Sequence, residues 1–348
     1  MPNPNSALAD AARERQSQLT KPAGSLGRLE DLAIWLAARL PQPTPSRVKP
    51  AIAVFAADHG VAAEGVSAFP AEVTAQMVVN FINGGAAINV LANQHQATLV
   101  VVDVGVASDY PNPVESKTRL FRAPVAKGTA NLRHQAAMSS EQCAAAFRTG
   151  YACAEEMIRN GKTLLIGGEM GIANTTSAAA LICVLTGYKA EEIVGLGTGI
   201  NTQQHQLKIN VVNDAIQRAQ AHGELAPLDW LREVGGLEIA ALAGFYTAAA
   251  DHGVPALLDG FITTAAALVA VKAKPEVADW LLASHVSQEA GHRFALQALG
   301  LTPLLDLGMR LGEASGAAVC LPLLQSALAL HGEMATFAEA GVAAAKMV

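Results

Sequence analysis

Six short apolar runs recur along the chain, and each is followed by glycine or polar residues and then by a stretch with helical spacing. The runs are AIAVFAADHG, ATLVVVDVG, TLLIGGEMG, EIVGLGTG, VPALLDGF and ADWLLASHV. Because their apolar residues are continuous rather than alternating, they are typical of strands buried on both faces of a sheet. Strands that alternate with helices favour parallel pairing through right-handed crossovers. The sequence therefore predicts an α/β fold with a doubly wound parallel sheet.

Polar side chains stand at or just after the carboxyl end of four of these runs. They are Asp58, Glu169, Asp259 and Ser287. In open parallel sheets, ligands bind at this edge, near the point where the strand order reverses. Each residue alone is equally well explained as a cap of the following helix. Their repetition at one edge favours a ligand site there.

An N-terminal helical segment precedes the first run. The stretch LEDLAIWLAARL has apolar residues at helical spacing, and the proline-rich PQPTPSRVKP ends it. This segment is predicted to be a separate piece beside the main domain. A chain of 348 residues that is 51% hydrophobic is large enough for one filled core and a smaller unit.

Charge and cysteine placement argue against several classes of protein. A net charge of −6 disfavours a nucleic-acid binder. The apolar stretches are too short, or broken by lysine, to span a membrane, and the polar N-terminus lacks the apolar run of a signal peptide. Four cysteines far apart in sequence predict free, buried thiols in a reducing cytoplasm. They are Cys143, Cys153, Cys183 and Cys320.

Two glycine-rich segments are candidates for binding a phosphorylated ligand. In GLGTGINTQQHQLK, Gly197 and Gly199 precede a predicted helix that carries Lys208. Glycines let backbone N–H groups approach a phosphate, and a lysine adds full charge. The segment matches neither GxGxxG nor a P-loop, so a simple tight turn stays an alternative. In GGEMGIANTTSAAAL, glycines flank Glu169, and Asn174, Thr175 and Thr176 follow it. They fit either a helix-capping cluster or a second carboxylate beside hydroxyls that could hold a sugar phosphate.

The segment DHGVAAEGVSAFP invites a metal interpretation through Asp58, His59 and Glu64, but their spacing matches no familiar ligand set. Its later part and the following helix are better explained as the wall of a flat apolar pocket. The residues assigned to that wall are Ser67, Phe69, Pro70, Gln76, Met77 and, from far along the chain, Leu311. His285 and His292 are better explained as buried or capping histidines than as catalytic ones, because no nucleophile motif accompanies them.

The segment DLGMRLGEASGAA places Glu313 between Gly312 and a run of small residues. Gly312 permits a sharp backbone turn, and the small residues leave room for a ligand to approach closely. This pattern indicates a carboxylate presented to a ligand. The alternative is that Glu313 caps a helix that begins near Ala314.

Along nearly its whole length, the sequence resembles the nicotinate-nucleotide–dimethylbenzimidazole phosphoribosyltransferase family. The matching stretches are KPAGSLGRLEDLA, DHGVAAEGVSAFPAEVTAQMV, NFINGGAAINVLA, GGEMGIANTT, GLGTGIN, LLDGFITTAAALVA, SHVSQEAGH and LDLGMRLGEASGAA. The resemblance implies a Rossmann-like large domain and a small helical domain formed from both chain ends. We therefore expect residues 46–314 to form the large domain, and residues 1–45 and 315–348 to form the small one.

The resemblance also implies a reaction. The phosphoribosyl group of nicotinate mononucleotide moves onto a nitrogen of 5,6-dimethylbenzimidazole, giving α-ribazole 5′-phosphate and nicotinate. By carry-over, the catalytic carboxylate falls on Glu313 and a second active-site acid on Glu169. The cationic pyridinium leaves without a general acid, whereas the benzimidazole must lose its N–H proton to a base. Such a transfer needs positioning but no metal and no cofactor.

The residues expected to hold the two substrates come from both the glycine-rich segments and the apolar wall. They are Ser67, Phe69, Pro70, Gln76, Met77, Gly171, Asn174, Gly197, Gly199, Lys208, Asp259, Ser287, Leu311 and Gly312. The family further implies a homodimer with the site near the subunit boundary. The sequence leaves the preferred acceptor base open, because discrimination by a methyl contact amounts to only about 1–3 kcal/mol.

Two other functions stay open on the sequence alone. A nucleotide-dependent oxidoreductase could use GLGTG as its dinucleotide loop, although no acid follows about twenty residues later at a strand end. Glu224, the acid at roughly that distance, lies in a polar, loop-like stretch. The second alternative is a non-catalytic nucleotide-binding protein in which Glu313 only accepts a hydrogen bond from its ligand.

Overall fold

A computed structural model describes residues 1–42, 44–45, 47–111, 116–197 and 199–343. Its centre is a sheet of parallel strands, which pair with their neighbours in the order β3-β2-β1-β4-β5-β6. The strands are β1 (Pro50–Ala57), β2 (Thr98–Gly105), β3 (Arg119–Arg122), β4 (Leu164–Met170), β5 (Ala256–Leu258) and β6 (Leu281–Ala283). The order reverses between β1 and β4, as in doubly wound folds. The predicted fold class is confirmed.

Helices cover both faces of this sheet. The helices of the described residues are α1 (Ser6–Gln18), α2 (Arg28–Ala37), α3 (Val73–Asn83), α4 (Ala87–Gln94), α5 (Ser140–Arg159), α6 (Asn174–Thr186), α7 (Ala190–Ile193), α8 (Thr202–Gln220), α9 (Pro227–Val234), α10 (Leu237–Asp251), α11 (Phe261–Ala273), α12 (His292–Leu299), α13 (Ser315–Glu333) and α14 (Phe337–Ala340). Two short 3₁₀ helices lie at Gly60–Glu64 and Pro275–Trp280. Helices α5, α6, α10 and α11 cover one face, and α3, α4 and α13 cover the other.

Strand β1 shows why the apolar runs are continuous. Phe55 points to the α10 face, where its ring meets that of Phe245 edge-on at 5.6 Å between centroids. Its neighbour Val54 points to the opposite face, in the cluster that contains Ala317 and Leu321 of α13. Because successive side chains alternate between two buried faces, every position of the strand must be apolar.

Two strand assignments differ from the sequence prediction. The run EIVGLGTG forms no strand in its described part: it begins in α7 and continues as a loop through Gly195 and Gly197, and Thr198 lies outside the described residues. Only Ile193 and Val194 are apolar before Gly195, and the Glu192 side chain accepts a hydrogen bond from the Lys189 N–H, which stabilises a helical turn. Strand β3 was not predicted, because this short, half-exposed edge strand has only two apolar residues, which lie between two exposed arginines.

The chain ends pack against each other. Leu32 and Ala33 of α2 form a small buried cluster with Ala327 of α13, and Arg15 Nε donates to the His331 carbonyl at 2.6 Å. However, the N-terminal half of α13 also packs against the sheet. The division into residues 1–45, 46–314 and 315–348 therefore stays a prediction. Ser46, at the first boundary, and residues 344–348 lie outside the described residues.

Among the residues that the structure describes, two helical segments are long and apolar enough to match a membrane span by length and composition. They are Val73–Gln94 and Ser315–Glu333, of whose most apolar windows 44% and 56% are buried inside the fold. The first is broken between α3 and α4, and the second packs on the sheet. Core helices meet the same criteria, so the expectation of no membrane span stays a prediction.

Candidate active site

A cavity of about 560 Å³ opens at the carboxyl ends of β4, β5 and β6. Glu169 enters it from the end of β4, Gly260 from just after β5, and Ser287 from the segment after β6. Two exposed apolar side chains, Phe69 and Leu311, lie at its edge. The cavity is large enough for a drug-sized or nucleotide-sized ligand. It occupies the predicted edge of the sheet, on the β4 side of the strand-order reversal.

Three successive residues before α13 adopt the left-handed backbone conformation. Their φ angles are +87° for Gly312, +63° for Glu313 and +69° for Ala314. This conformation is uncommon for residues that carry a Cβ, and it persists only where the surroundings enforce it. The turn places the Glu313 side chain in the cavity wall, although the residue is only 6% exposed.

Asp259 enforces this turn. Its carboxylate accepts hydrogen bonds from the N–H groups of Ala314 at 3.2 Å and Ala317 at 2.9 Å, at the start of α13. Asp259 therefore caps α13 and not α11, the helix that follows it along the chain, and its predicted part in substrate binding stays a prediction. Glu313 has a different partner, because its carboxylate accepts from the Ile88 N–H in the first turn of α4. Glu313 is therefore not explained as a cap of α13.

The buried carboxyl groups influence one another. Burial raises the pKa of Glu313 to about 7, against the opposing Ile88 hydrogen bond. Burial raises the pKa of Glu169 to about 8, opposed by the Asn174 amide and reinforced by the neighbouring carboxylates. Burial also raises the pKa of Asp259 to about 7, although the backbone N–H groups of α13 oppose that shift. Such a cluster holds at least one proton near neutral pH, so it can both accept and supply protons.

Gly312 allows two of these carboxyl groups to come close. A Cβ at this position would overlap Glu169 Oε1. The other oxygen of Glu169 accepts a hydrogen bond from the Asn174 side chain. Glu169 is thereby fixed directly beside the strained turn that carries Glu313.

A buried cation lies behind another part of the cavity wall. Lys208 Nζ donates to Thr175 Oγ1 at 2.8 Å, and it lies 3.1 Å from where a Cβ on Gly197 would be. Burial lowers the pKa of Lys208 to about 8, and the charge of Glu289 opposes that shift. Arg310 Nη1 donates to the Gly197 carbonyl at 3.0 Å. This region therefore combines two cations, a hydroxyl and a glycine loop, which suits an anion.

The cavity brings together nine of the sixteen predicted site residues. They are Phe69, Glu169, Gly171, Asn174, Gly197, Ser287, Leu311, Gly312 and Glu313. Seven predicted residues lie outside its lining: Ser67, Pro70, Gln76, Met77, Gly199, Lys208 and Asp259. Of these, Lys208 and Asp259 lie directly behind the lining, where they contact Thr175 and Ala314. Ser67 Oγ accepts from the Phe69 N–H at 3.2 Å, whereas Gln76 is exposed on α3 and Met77 is half-buried and packs against the core.

Several lining residues were not predicted. The polar ones are Thr263, His285, Glu289 and Arg310, and the others are Met170, Ile172, Gly260, Phe261 and Ile262. Thr175, which the sequence offered as a capping residue or a ligand-binding hydroxyl, also lines the cavity. Arg310 stands three residues before Glu313 in a segment that the sequence already singled out, so its position was a usable signal. Glu289 follows Ser287 by two residues at the same edge of the sheet. Spacing alone does not show which of these side chains face the cavity.

The segment that invited a metal interpretation is held by protein contacts. His59 Nε2 lies 2.6 Å from Glu238 Oε1, and Arg133 binds Glu64 at 2.6 Å. Within the described ranges, no group of three or more histidine, cysteine, aspartate or glutamate side chains is arranged to hold a metal ion. His292 is a buried histidine, as predicted: its Nδ1 accepts from the Ser287 N–H at 2.7 Å, and burial lowers its pKa to about 3.

Comparisons with known proteins cover nearly the whole chain. A family model described as phosphoribosyltransferase matches residues 1–342. The nicotinate-nucleotide–dimethylbenzimidazole phosphoribosyltransferase of Chromobacterium violaceum is 56% identical over 333 residues, covering 96% of this chain and 95% of the relative. The enzyme of the same name from Azotobacter vinelandii is 53% identical, covering 95% and 93%. The crystal structure of CobT from Thermus thermophilus is 46% identical, with a TM-score of 0.91, and covers 97% of this chain and 99% of that one.

Proposed function

Because the chain belongs to this phosphoribosyltransferase family, we propose that it transfers the 5-phosphoribosyl group of nicotinate mononucleotide to 5,6-dimethylbenzimidazole. The products are α-ribazole 5′-phosphate and nicotinate, as in assembly of the cobalamin nucleotide loop. The observation that carries this proposal within the structure is the buried carboxylate of Glu313. One of its oxygens has no hydrogen-bond partner among the described residues, and the side chain lines the cavity.

The reaction requires a base rather than an acid. Nicotinate departs from C1′ with the electron pair of the glycosidic bond, and its pyridinium nitrogen thereby becomes neutral. One ring nitrogen of the benzimidazole attacks C1′, and the other nitrogen releases its proton. Ionised Glu313 accepts that proton, and its raised pKa brings its basicity close to that needed at neutral pH. Glu169, whose pKa of about 8 keeps it largely protonated at pH 7, adds little repulsion to the ionised Glu313.

We assign the nucleotide phosphate to the cationic part of the cavity. Gly197, Thr175 and Ser287 line this region, with Lys208 behind them and Arg310 beside them. Gly171, Asn174 and Gly199 complete the proposed binding region for the donor. A phosphate here leaves the ribose between the cations and the carboxyl cluster. That placement directs C1′ toward Glu313.

We assign the acceptor ring to the apolar edge of the cavity. Phe69 and Leu311 are 53% and 57% exposed there, so both side chains can pack against a flat aromatic ligand. Gly312 and the small residues after Glu313 leave room beside the base. The predicted wall of the acceptor pocket also includes neighbours of Phe69 in sequence, and we retain them in this proposal: Ser67, Pro70, Gln76 and Met77.

The direct test is turnover of the purified protein with nicotinate mononucleotide and 5,6-dimethylbenzimidazole, with nicotinate and α-ribazole 5′-phosphate quantified by chromatography. Stoichiometric formation of both products supports the proposal. Binding of the nucleotide without product would instead support a non-catalytic nucleotide-binding protein. Reduction of a nicotinamide dinucleotide by a co-substrate, with no phosphoribosyl transfer, would support the oxidoreductase.

Replacing Lys208 by methionine is expected to raise the KM for nicotinate mononucleotide by about 10- to 100-fold, with little effect on the KM for the benzimidazole. Methionine fills the volume of this fully buried side chain but removes the charge behind Thr175 and Gly197. Steady-state kinetics with each substrate varied in turn measure the two values. Equal increases in both KM values would contradict the assignment of the phosphate to this region.

The rate is expected to depend on pH in a bell-shaped manner. The value of kcat/KM should rise through pH 7 as Glu313 ionises, and fall above pH 8 as Lys208 loses its proton. A pH–rate profile of the wild-type protein shows both limbs, and the Lys208→Met variant should lack the alkaline one. An alkaline limb that persists unchanged in this variant would contradict the role of Lys208.

The oligomeric state and the compartment are further parts of the proposal. We propose a homodimer that acts in the cytoplasm, with the helices at both chain ends forming a small domain. The four cysteines are free thiols, three of them buried, which suits a reducing compartment. Light scattering coupled to size-exclusion chromatography measures the oligomeric state directly.

A further inference from the structure

Glu289 is a buried acid that the proposed transfer reaction does not use. It is 7% exposed and lines the cavity. Its Oε2 atom is buried and has no hydrogen-bond donor among the described residues. A buried carboxylate oxygen without a donor is costly unless a ligand supplies one. A hydrogen-bond donor on a ligand in this cavity would offset that cost.

The surroundings of Glu289 leave its acceptor capacity free. Arg310 directs Nη1 to the Gly197 carbonyl, and Lys208 directs Nζ to Thr175, so neither cation forms an ion pair with Glu289 in the described part of the chain. Gly195 lies directly against the carboxylate, where a Cβ would overlap Oε2. The carboxylate is thus held in place by close packing rather than by a protein donor.

The chemistry of the two substrates identifies the donor. Nicotinate mononucleotide has no N–H group on its pyridinium ring, and its phosphate is largely dianionic near neutral pH. The single N–H of the benzimidazole is assigned to Glu313. The vicinal 2′- and 3′-hydroxyls of the ribose are the remaining donors. Glu289 also lies beside Lys208, on the phosphate side of the cavity, and the 3′-hydroxyl is the ribose hydroxyl closer along the chain of bonds to the 5′-phosphate.

We propose that Glu289 accepts hydrogen bonds from the ribose hydroxyls of the phosphoribosyl donor, chiefly the 3′-hydroxyl, and so selects donors that carry this hydroxyl over their 3′-deoxy analogues. This inference rests on the proposed function and assigns a specificity determinant to it. The contact is charge-assisted and desolvated. In such a setting, loss of a single hydroxyl from the substrate causes the largest decrease in kcat/KM.

The test compares nicotinate mononucleotide with its 3′-deoxy and 2′-deoxy analogues. We expect the wild-type protein to prefer the ribonucleotide over the 3′-deoxy analogue by about 10- to 100-fold in kcat/KM. Glu289→Gln should reduce that preference to a few-fold, through loss of activity on the ribonucleotide alone. Glu289→Asp, which keeps the charge but withdraws the oxygens, should also reduce it. Glu224→Gln, a neutralisation of an exposed acid in a loop, should leave the preference unchanged.

Two outcomes would overturn the assignment. If the wild-type protein shows no preference for the ribose hydroxyls, Glu289 has no role in selecting them. If both Glu289 variants lower kcat/KM for the ribonucleotide and its analogues by one common factor, the carboxylate acts through Lys208 or through stability instead. Calorimetry with the same nucleotides measures binding without turnover. It therefore distinguishes a failure of the Glu289 contact from a failure of the proposed transfer reaction. Selective binding without turnover would support the Glu289 contact while contradicting the transfer reaction.

Discussion

Replacing Glu313 by glutamine is expected to lower kcat by about 10²–10⁴, the usual effect of losing one positioned base, while both KM values change little. The amide keeps the size of the side chain and can still accept a hydrogen bond from the Ile88 N–H. It cannot take the proton that the attacking benzimidazole releases. Steady-state and single-turnover kinetics measure the loss, and the single-turnover rate shows whether it lies in the chemical step.

Stability measurements separate this effect from a folding defect. Burial raises the pKa of Glu313 from its ordinary value to about 7, so ionisation of this group favours unfolding as the pH rises through this interval. Glu313→Gln removes that penalty, and its thermal midpoint should equal or exceed that of the wild-type protein above pH 7. A well-folded variant with near-normal kcat would exclude Glu313 as the base and make Glu169 the next candidate. Glu169→Gln should otherwise cause the smaller loss, because its carboxyl group is already bound to Asn174.

Most of the sheet could be predicted from the sequence because burial on two faces leaves a strong local signal. In β1 every position is buried, so the apolar run is unbroken and its identification is direct. Strand β3 gave no such signal, since it pairs with β2 on one side only and keeps two exposed arginines. The error at EIVGLGTG has the opposite origin. Its two adjacent apolar residues, Ile193 and Val194, have strand-like composition, but two glutamates just before them lie in the first turn of a helix and stabilise it.

The candidate site was predictable only in part, for a geometric reason. Glu313 and Glu169 stand out because glycines beside an acid leave a local signature at the end of an apolar segment. Glu289 has no such signature, and Arg310 is indicated only by its position three residues before Glu313. Both residues reach the cavity through the tertiary fold. The sequence also pointed to Lys208 but could not show that it is buried behind the cavity lining rather than within it. Depth below a surface depends on long-range packing, which spacing along the chain does not encode.

Gly312→Ala is expected to lower kcat/KM by about 100-fold or more, because a misplacement near 1 Å at the reacting groups has that effect. The added Cβ would overlap Glu169 Oε1, so one of the two acids must move. The left-handed backbone, with φ of +87°, adds a cost of about 1–2 kcal/mol in the free energy of unfolding. The variant should therefore lose both stability and activity. Chemical denaturation and steady-state kinetics measure the two losses.

Gly308→Ala is the matched control for the Gly312 variant. Gly308 has a similar left-handed φ of +68° in the same segment, but a Cβ there would meet nothing within 4 Å. The two variants should thus share the backbone cost of about 1–2 kcal/mol, while only Gly312→Ala loses most of its activity. If both variants lost activity equally, the flexibility of the segment, and not the approach of the two carboxyl groups, would control the rate. If Gly312→Ala retained full activity, Glu169 could shift without consequence, and its close placement beside the turn would have no part in catalysis.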